Sequence, residues 1–128
     1  MPGISIHVVD VTRGIVAAGM LVEVHAVSVQ RTLIARAPVS MHGTLDDPAL
    51  AARFAPGEYE AAFHIADYYR DAGVALPRVS FLDVVTFRFG IADPDQHYHL
   101  PMKVTPWGFS CFRGGAASTA TETSGTAT

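Results

Sequence analysis

A chain of 128 residues with 49% hydrophobic side chains is long enough for one compact domain with a substantial core, and too short for two. Its formal charge of −3 leaves no basic stripe to face a phosphate backbone, which argues against nucleic acid as a partner. The single cysteine excludes an internal disulfide, no apolar run approaches the roughly 20 residues that span a bilayer, and the first residues carry no charged leader followed by an apolar stretch.

A soluble, cytoplasmic protein without membrane contact is therefore expected. Ile4 to Val9 alternates Ile4, Ile6 and Val8 with Ser5, His7 and Val9, which predicts a strand packed on a core by one face and carrying His7 on the other. Gly14 and Gly19 bracket a turn, and Leu21 to Val29 alternates again as a second strand. Arg31 to Val39 is a third, broken by Pro38. Ser40 to Pro56 mixes Gly43, Asp46, Asp47 and Pro48 without a clear period, as an irregular segment does.

Gly57-Glu58-Tyr59 opens a strand that continues to Ile65. The following Ala66 to Gly73 predicts a short helix, with Asp67 near its positive end and Gly73 as its stop. Phe81 to Phe89 is rich in β-branched and aromatic residues, Ile91 to Gln96 is turn-like, and His97 to Val104 resumes extended structure. Pro106-Trp107-Gly108 turns the chain into Phe109 to Arg113. Many short strands and one helix predict an all-β sandwich over residues 1–115. Ala116 to Thr128 is Ala, Thr, Ser and Gly with one acidic residue, and is expected to form a disordered tail.

His97 and His99 lie two apart on a strand, so their imidazoles share a face roughly 7 Å apart. Imidazole changes protonation near neutrality, and a pair of them can divide the removal and return of a proton. That points to cofactor-free hydrolysis or isomerisation of a small molecule, although a solvated sheet face accounts for the same spacing. With His7 as a third nitrogen the set also suits zinc; only Asp95 lies close enough in sequence to support such ligands, and a metal-free site is the expectation. His25, His42 and His64 are read as structural. Cys111 alternates with Ser110 and Phe112 and is expected to point into the core as an inert thiol, while Trp107 and Phe109 are read as turn and core packing.

Ile4-Ser5-Ile6-His7-Val8-Val9-Asp10 resembles the opening I-S-x-H-V-L-D of the 5-hydroxyisourate hydrolases, and Gly57-Glu58-Tyr59 resembles their G-x-Y. The strongest match is Gln96-His97-Tyr98-His99-Leu100-Pro101 with Phe109-Ser110-Cys111-Phe112-Arg113-Gly114-Gly115, similar to E-H-Y-H-V-P and Y-S-T-Y-R-G-S. The resemblance implies a transthyretin-like (prealbumin-like) sandwich of seven or eight strands, assembled as a homotetramer, a dimer of dimers with sites along a channel at the dimer-dimer interface. It also implies cofactor-independent hydrolysis of the ring amide of 5-hydroxyisourate in purine catabolism.

Carried over by motif, His7, His97 and His99 are the catalytic set, and Arg113, Thr44, Ser110 and Phe112 occupy substrate-binding positions. Thr44 stands where the family pattern D-G-R has its arginine, with Arg53 and Arg36 as possible substitutes; Phe112 and Gly115 replace a tyrosine and a terminal serine. Three functions remain open at this point. One is the family hydrolase, another is a relative repurposed for cyclisation, ring opening or isomerisation in specialised metabolism, and the third is a carrier like transthyretin.

Overall fold

In the computed structural model, which describes residues 1–115, eight strands build two four-stranded sheets. The elements run β1 Gly3–Asp10, β2 Ile15–Val16, β3 Leu21–Ala26, β4 Thr32–Pro38, β5 Gly57–His64, α1 Ile65–Asp71, β6 Val84–Ile91, β7 His97–Thr105 and β8 Gly108–Cys111. One sheet has the order β2-β1-β7-β8 and the other β4-β3-β5-β6. Every pairing is antiparallel except that of β1 with β7. The expected sandwich with one short helix is what forms; the tail at 116–128 lies outside the described residues.

The inward positions of the predicted strands are the core. Ile4, Ile6 and Val8 of β1 meet Leu100, Met102 and Val104 of β7, and Val22, Val24, Ala61 and Phe63 close the core from the other sheet. Burying a Val, Leu, Ile or Phe side chain contributes about 1.5–3 kcal/mol, so this two-sided stack is the main force holding the sheets together. No helix among the described residues is long and apolar enough to cross a membrane.

Two local features escape the sequence pattern. Ile15 and Val16 pair with Asp10 and Val9, a strand too short to show a period, inside the segment expected to be a turn. The irregular 40–56 stretch holds a 3₁₀ turn at Pro48–Ala51, where the Asp47 carboxylate accepts from the Ala49 amide at 2.9 Å. The helix starts one residue earlier than expected and ends at Ala72 and Gly73, the latter at φ +85°.

The far end of β1 carries a fully buried carboxylate, Asp10. It accepts hydrogen bonds from Tyr69 (2.7 Å), Arg13 (2.8 Å) and Tyr68 (3.0 Å), and Tyr69 also donates to the carbonyl of Val104 on β7 at 3.1 Å. Burial pushes the carboxyl pKa up, but the bonds from Tyr69, Arg13 and Tyr68 together outweigh it and hold Asp10 below the usual aspartate value. The helix is thereby locked to the ends of β1 and β7.

A carboxyl with a depressed folded pKa contributes stability above its unfolded pKa, and that contribution is lost as pH falls through the folded value. Asp10→Ala is expected to cost about 3–5 kcal/mol, the usual result of stranding one member of a buried ionic network, measured as a lowered urea midpoint at neutral pH. Asp10→Asn should in addition lose this contribution to the decline in stability below the ordinary aspartate pKa; an acid limb identical to the parent would contradict the assignment.

Candidate active site

The parallel ladder between β1 and β7 sets Gly3 opposite His97, Ser5 opposite His99 and His7 opposite Pro101. Because Ile4, Ile6, Tyr98 and Leu100 point into the core, Ser5, His7, His97 and His99 all project from the other face of the sheet. All four are half-buried. The structure thus brings together the two histidines that spacing paired and the third from a strand about 90 residues away in sequence.

Ser5 joins them, a residue that the motifs alone do not single out. Its Oγ lies 2.7 Å from Nε2 of His97 and 2.7 Å from Nδ1 of His99. The signal available in the sequence was its phase, two residues before His7 on the same face, but its partners depend on which strand lies beside β1. His97 is further tethered by Nδ1, which donates to the carbonyl of Pro2 at 3.3 Å. Burial, and then the neighbouring imidazoles of His97 and His7, push the His99 pKa down against a smaller opposing contribution from the backbone of Ser5. His99 is therefore a neutral imidazole at neutral pH and is able to accept a proton.

On the other side of β1 the chain from Ser40 to Leu45 continues the sheet. Val8 donates to the Gly43 carbonyl at 2.8 Å and Leu45 to the Ile6 carbonyl at 3.1 Å, so Thr44 sits in a bridge opposite His7. Only glycine fits at 43. Its φ is +86°, and a Cβ there would lie 2.7 Å from His7 Nε2 and 2.7 Å from a methyl of Val16. The Thr44 hydroxyl donates to Asp46 at 2.7 Å and lies 3.0 Å from that of Ser40. Between this segment and β1, a cleft of about 370 Å³ is bordered by Ser5, His97, Thr44, Leu45, Asp46 and Leu50. Its size suits a small heterocycle.

The remaining substrate-binding candidates gather less closely. Arg113 donates to the Gln96 side chain at 2.8 Å and to the His97 carbonyl at 3.2 Å, with its guanidinium 4.0 Å from the centre of the Tyr98 ring; it bonds to the backbone of His97 and to no imidazole. Phe112 and Pro101, the residue opposite His7, both approach Gly114 closely. Ser110 pairs with Lys103, four residues beyond His99, which places it roughly 13 Å along the strand from that histidine.

Both alternative arginines are held in ion pairs. Arg36 pairs with Glu23 at 3.2 Å on the opposite sheet, and Arg53 pairs with Asp95 at 2.7 Å. Cys111 packs against the core, and burial pushes its thiol pKa up to about 11, leaving it inert. Trp107 lies in the turn as expected, but it and Phe109 are 61% and 48% exposed, which corrects the expectation of core packing. His64 bonds Glu23 at 2.8 Å on the second sheet, away from the three site histidines. Among the described residues no three His, Cys, Asp or Glu side chains are grouped closely enough to hold one metal ion.

The electrostatics of His99 are directly measurable. In an NMR titration its ring is expected to inflect below the ordinary histidine pKa of about 6.5. His7→Ala should move that inflection upward, because it removes one neighbouring positive charge; an unshifted or downward-shifted value would contradict the proximity on which the site is built.

Residues 4–114 match the model of the HIUase/Transthyretin family. The chain is 42% identical over 113 residues to 5-hydroxyisourate hydrolase 2 of Rhizobium meliloti strain 1021, spanning 87% of this chain and 94% of that protein. It is 40% identical over 116 residues to the 5-hydroxyisourate hydrolase of Pseudomonas aeruginosa, spanning 89% and 92% respectively. The structure of Klebsiella pneumoniae 5-hydroxyisourate hydrolase superposes with a TM-score of 0.73 at 25% identity, over 90% of this chain and all of that one (100%). With a match that runs from the first core residue of β1 to the bridge at Gly114, the chain belongs to the HIUase/Transthyretin family.

Proposed function

We propose that this protein is a 5-hydroxyisourate hydrolase that opens the ring amide of its substrate with histidine acid-base chemistry and without a metal or organic cofactor. The observation that carries the reading is the cluster of His7, His97 and His99 on one sheet face beside a small cleft, in a chain more than 40% identical to a protein bearing that name. A neutral imidazole of the His97 and His99 pair takes a proton from water as its oxygen attacks the amide carbonyl. The carbon-nitrogen bond breaks, and an imidazolium returns the proton to the departing nitrogen. Thr44, Arg113 and Phe112 serve as the contacts around the substrate, and Ser110, roughly 13 Å along the strand from His99, lies outside this set. A repurposed reaction or a carrier role is not adopted, because the relatives that cover nearly the whole chain carry the hydrolase name.

The assembly that suits this reading is a homotetramer, a dimer of dimers, in the cytoplasm. Support comes from large apolar side chains left open on the protomer: Ile15, Trp107, Phe109 and Phe112 are each between 44% and 61% exposed, and all lie on or beside the sheet that carries the histidines. Packing that face against a second dimer would exclude water from the cleft and strengthen each polar contact within it.

Freshly generated 5-hydroxyisourate should lose its ultraviolet absorbance faster with the protein than in buffer alone, and a rate equal to buffer removes the proposal. His97→Ala should lower turnover by about 10²- to 10⁴-fold, the usual contribution of a general acid or base. Light scattering is expected to give about four times the 13.6 kDa protomer for both proteins.

A further inference from the structure

Ser5 occupies a position that decides which histidine nitrogen can act as a base. A hydroxyl has one proton to give and lone pairs to accept, so between two neutral imidazoles it donates to one and accepts from the other. The direction is set at the end of the chain by Pro2, whose carbonyl can only accept. Its partner, Nδ1 of His97 at 3.3 Å, therefore carries the hydrogen, and Nε2 of the neutral ring is bare. Ser5 must then donate to His97 Nε2 across 2.7 Å, and its oxygen accepts the Nδ1 hydrogen of His99 across the second 2.7 Å contact. This leaves a lone pair on Nε2 of His99, which has no hydrogen-bond partner among the described residues.

We propose that Ser5 is a positioning residue that fixes the tautomers of both histidines and thereby makes Nε2 of His99 the proton-accepting atom of the site. The order of bonds runs from His99 Nδ1–H to Ser5, from Ser5 O–H to His97 Nε2, and from His97 Nδ1–H to the Pro2 carbonyl. When His99 Nε2 takes a proton from the attacking water, the Nδ1 proton can pass to Ser5 while the hydroxyl proton passes to His97. The positive charge then rests on His97, and reverse passage returns a proton to His99 Nδ1 as the departing nitrogen takes the proton back from His99 Nε2, which restores the neutral pair. Each transfer breaks one N–H or O–H bond and forms another, and no external reductant or oxidant enters. The same arrangement gives different work to two histidines that their spacing alone leaves equivalent.

The chemistry of this assignment rests on the hydrolase reading, whereas the hydrogen-bond order is a property of the resting protein and is tested separately. Long-range ¹H–¹⁵N spectra of the full chain labelled at histidine should show neutral His99 as the Nδ1–H tautomer. Ser5→Ala should lose that signature and Ser5→Thr, which keeps the hydroxyl, should retain it. Turnover of 5-hydroxyisourate should fall by about 10- to 100-fold in Ser5→Ala with KM little changed, and recover in Ser5→Thr. An Nε2–H tautomer at His99 in the parent protein, a signature unchanged in Ser5→Ala, or full turnover in that variant would each overturn the proposal. If the parent protein does not open 5-hydroxyisourate at all, the hydrolase reading fails and the spectra still decide the role of Ser5.

Discussion

The parallel pairing of β1 with β7 is the constraint on which the rest depends. Among the described residues it is the one parallel ladder in otherwise antiparallel pairings, and it joins residues some 90 positions apart. Both strands bury one face, so each has a single acceptable phase; a slip by one residue would turn Ile4 and Ile6 to solvent and Ser5 and His7 into the core. At about 1.5–3 kcal/mol for each large apolar side chain, that error costs more than most domains can spare. The hydrophobic alternation thus aims the polar face as well, and the phase that buries the core is the one that presents the histidines.

Each end of this ladder has its own clamp. At the Asp10 end, Tyr68, Tyr69 and Arg13 surround the carboxylate, and Tyr69 spans to the Val104 carbonyl, tying α1 to both strands at once. At the histidine end, the Gly114 amide donates to the His99 carbonyl at 2.9 Å and Arg113 bonds the His97 carbonyl, so the segment after β8 supports the backbone from which the imidazoles project. Fixing the backbone on both sides limits how far those imidazoles can drift, and at a reacting group displacements of about 1 Å are enough to cost a hundredfold in rate.

Thr44 shows how a backbone can keep its place while the side chain changes. The bridge to His7 and the tight approach of Gly43 depend on main-chain geometry, and both are present without an arginine at 44. The hydroxyl is satisfied by Asp46 and Ser40 and brings no positive charge to the cleft. A well-aimed oxyanion donor is worth about 10²- to 10³-fold in turnover, so transition-state charge in this protein has to be met by other groups or in part by the imidazoles. The depressed pKa of His99 is consistent with such a site, since a neutral imidazole becomes cationic only on taking up a proton.

The strands, the short helix, the inward residues and the shared face of His97 and His99 were legible in the sequence, because periods of 2 and 3.6 are local properties of the chain. Motif similarity named His7 and Thr44 as site residues as well, and a backbone bridge sets them opposite each other. The two-residue strand at Ile15–Val16 was not legible, since it shows no period and exists only by pairing with β1. Nor was the exposure of Trp107 and Phe109, because side chains of that kind are equally at home in a core and the alternation of β8 does not say what covers its outer side. Ser5 is the clearest case. Its face was fixed by alternation, but its partners were set by which strand lies beside β1, in which direction and in which register. By itself the sequence determined the elements and the chemical identities of the groups; only the tertiary structure decided that one serine hydroxyl stands between two imidazoles, because a hydrogen bond depends on distances across strands that no local pattern encodes.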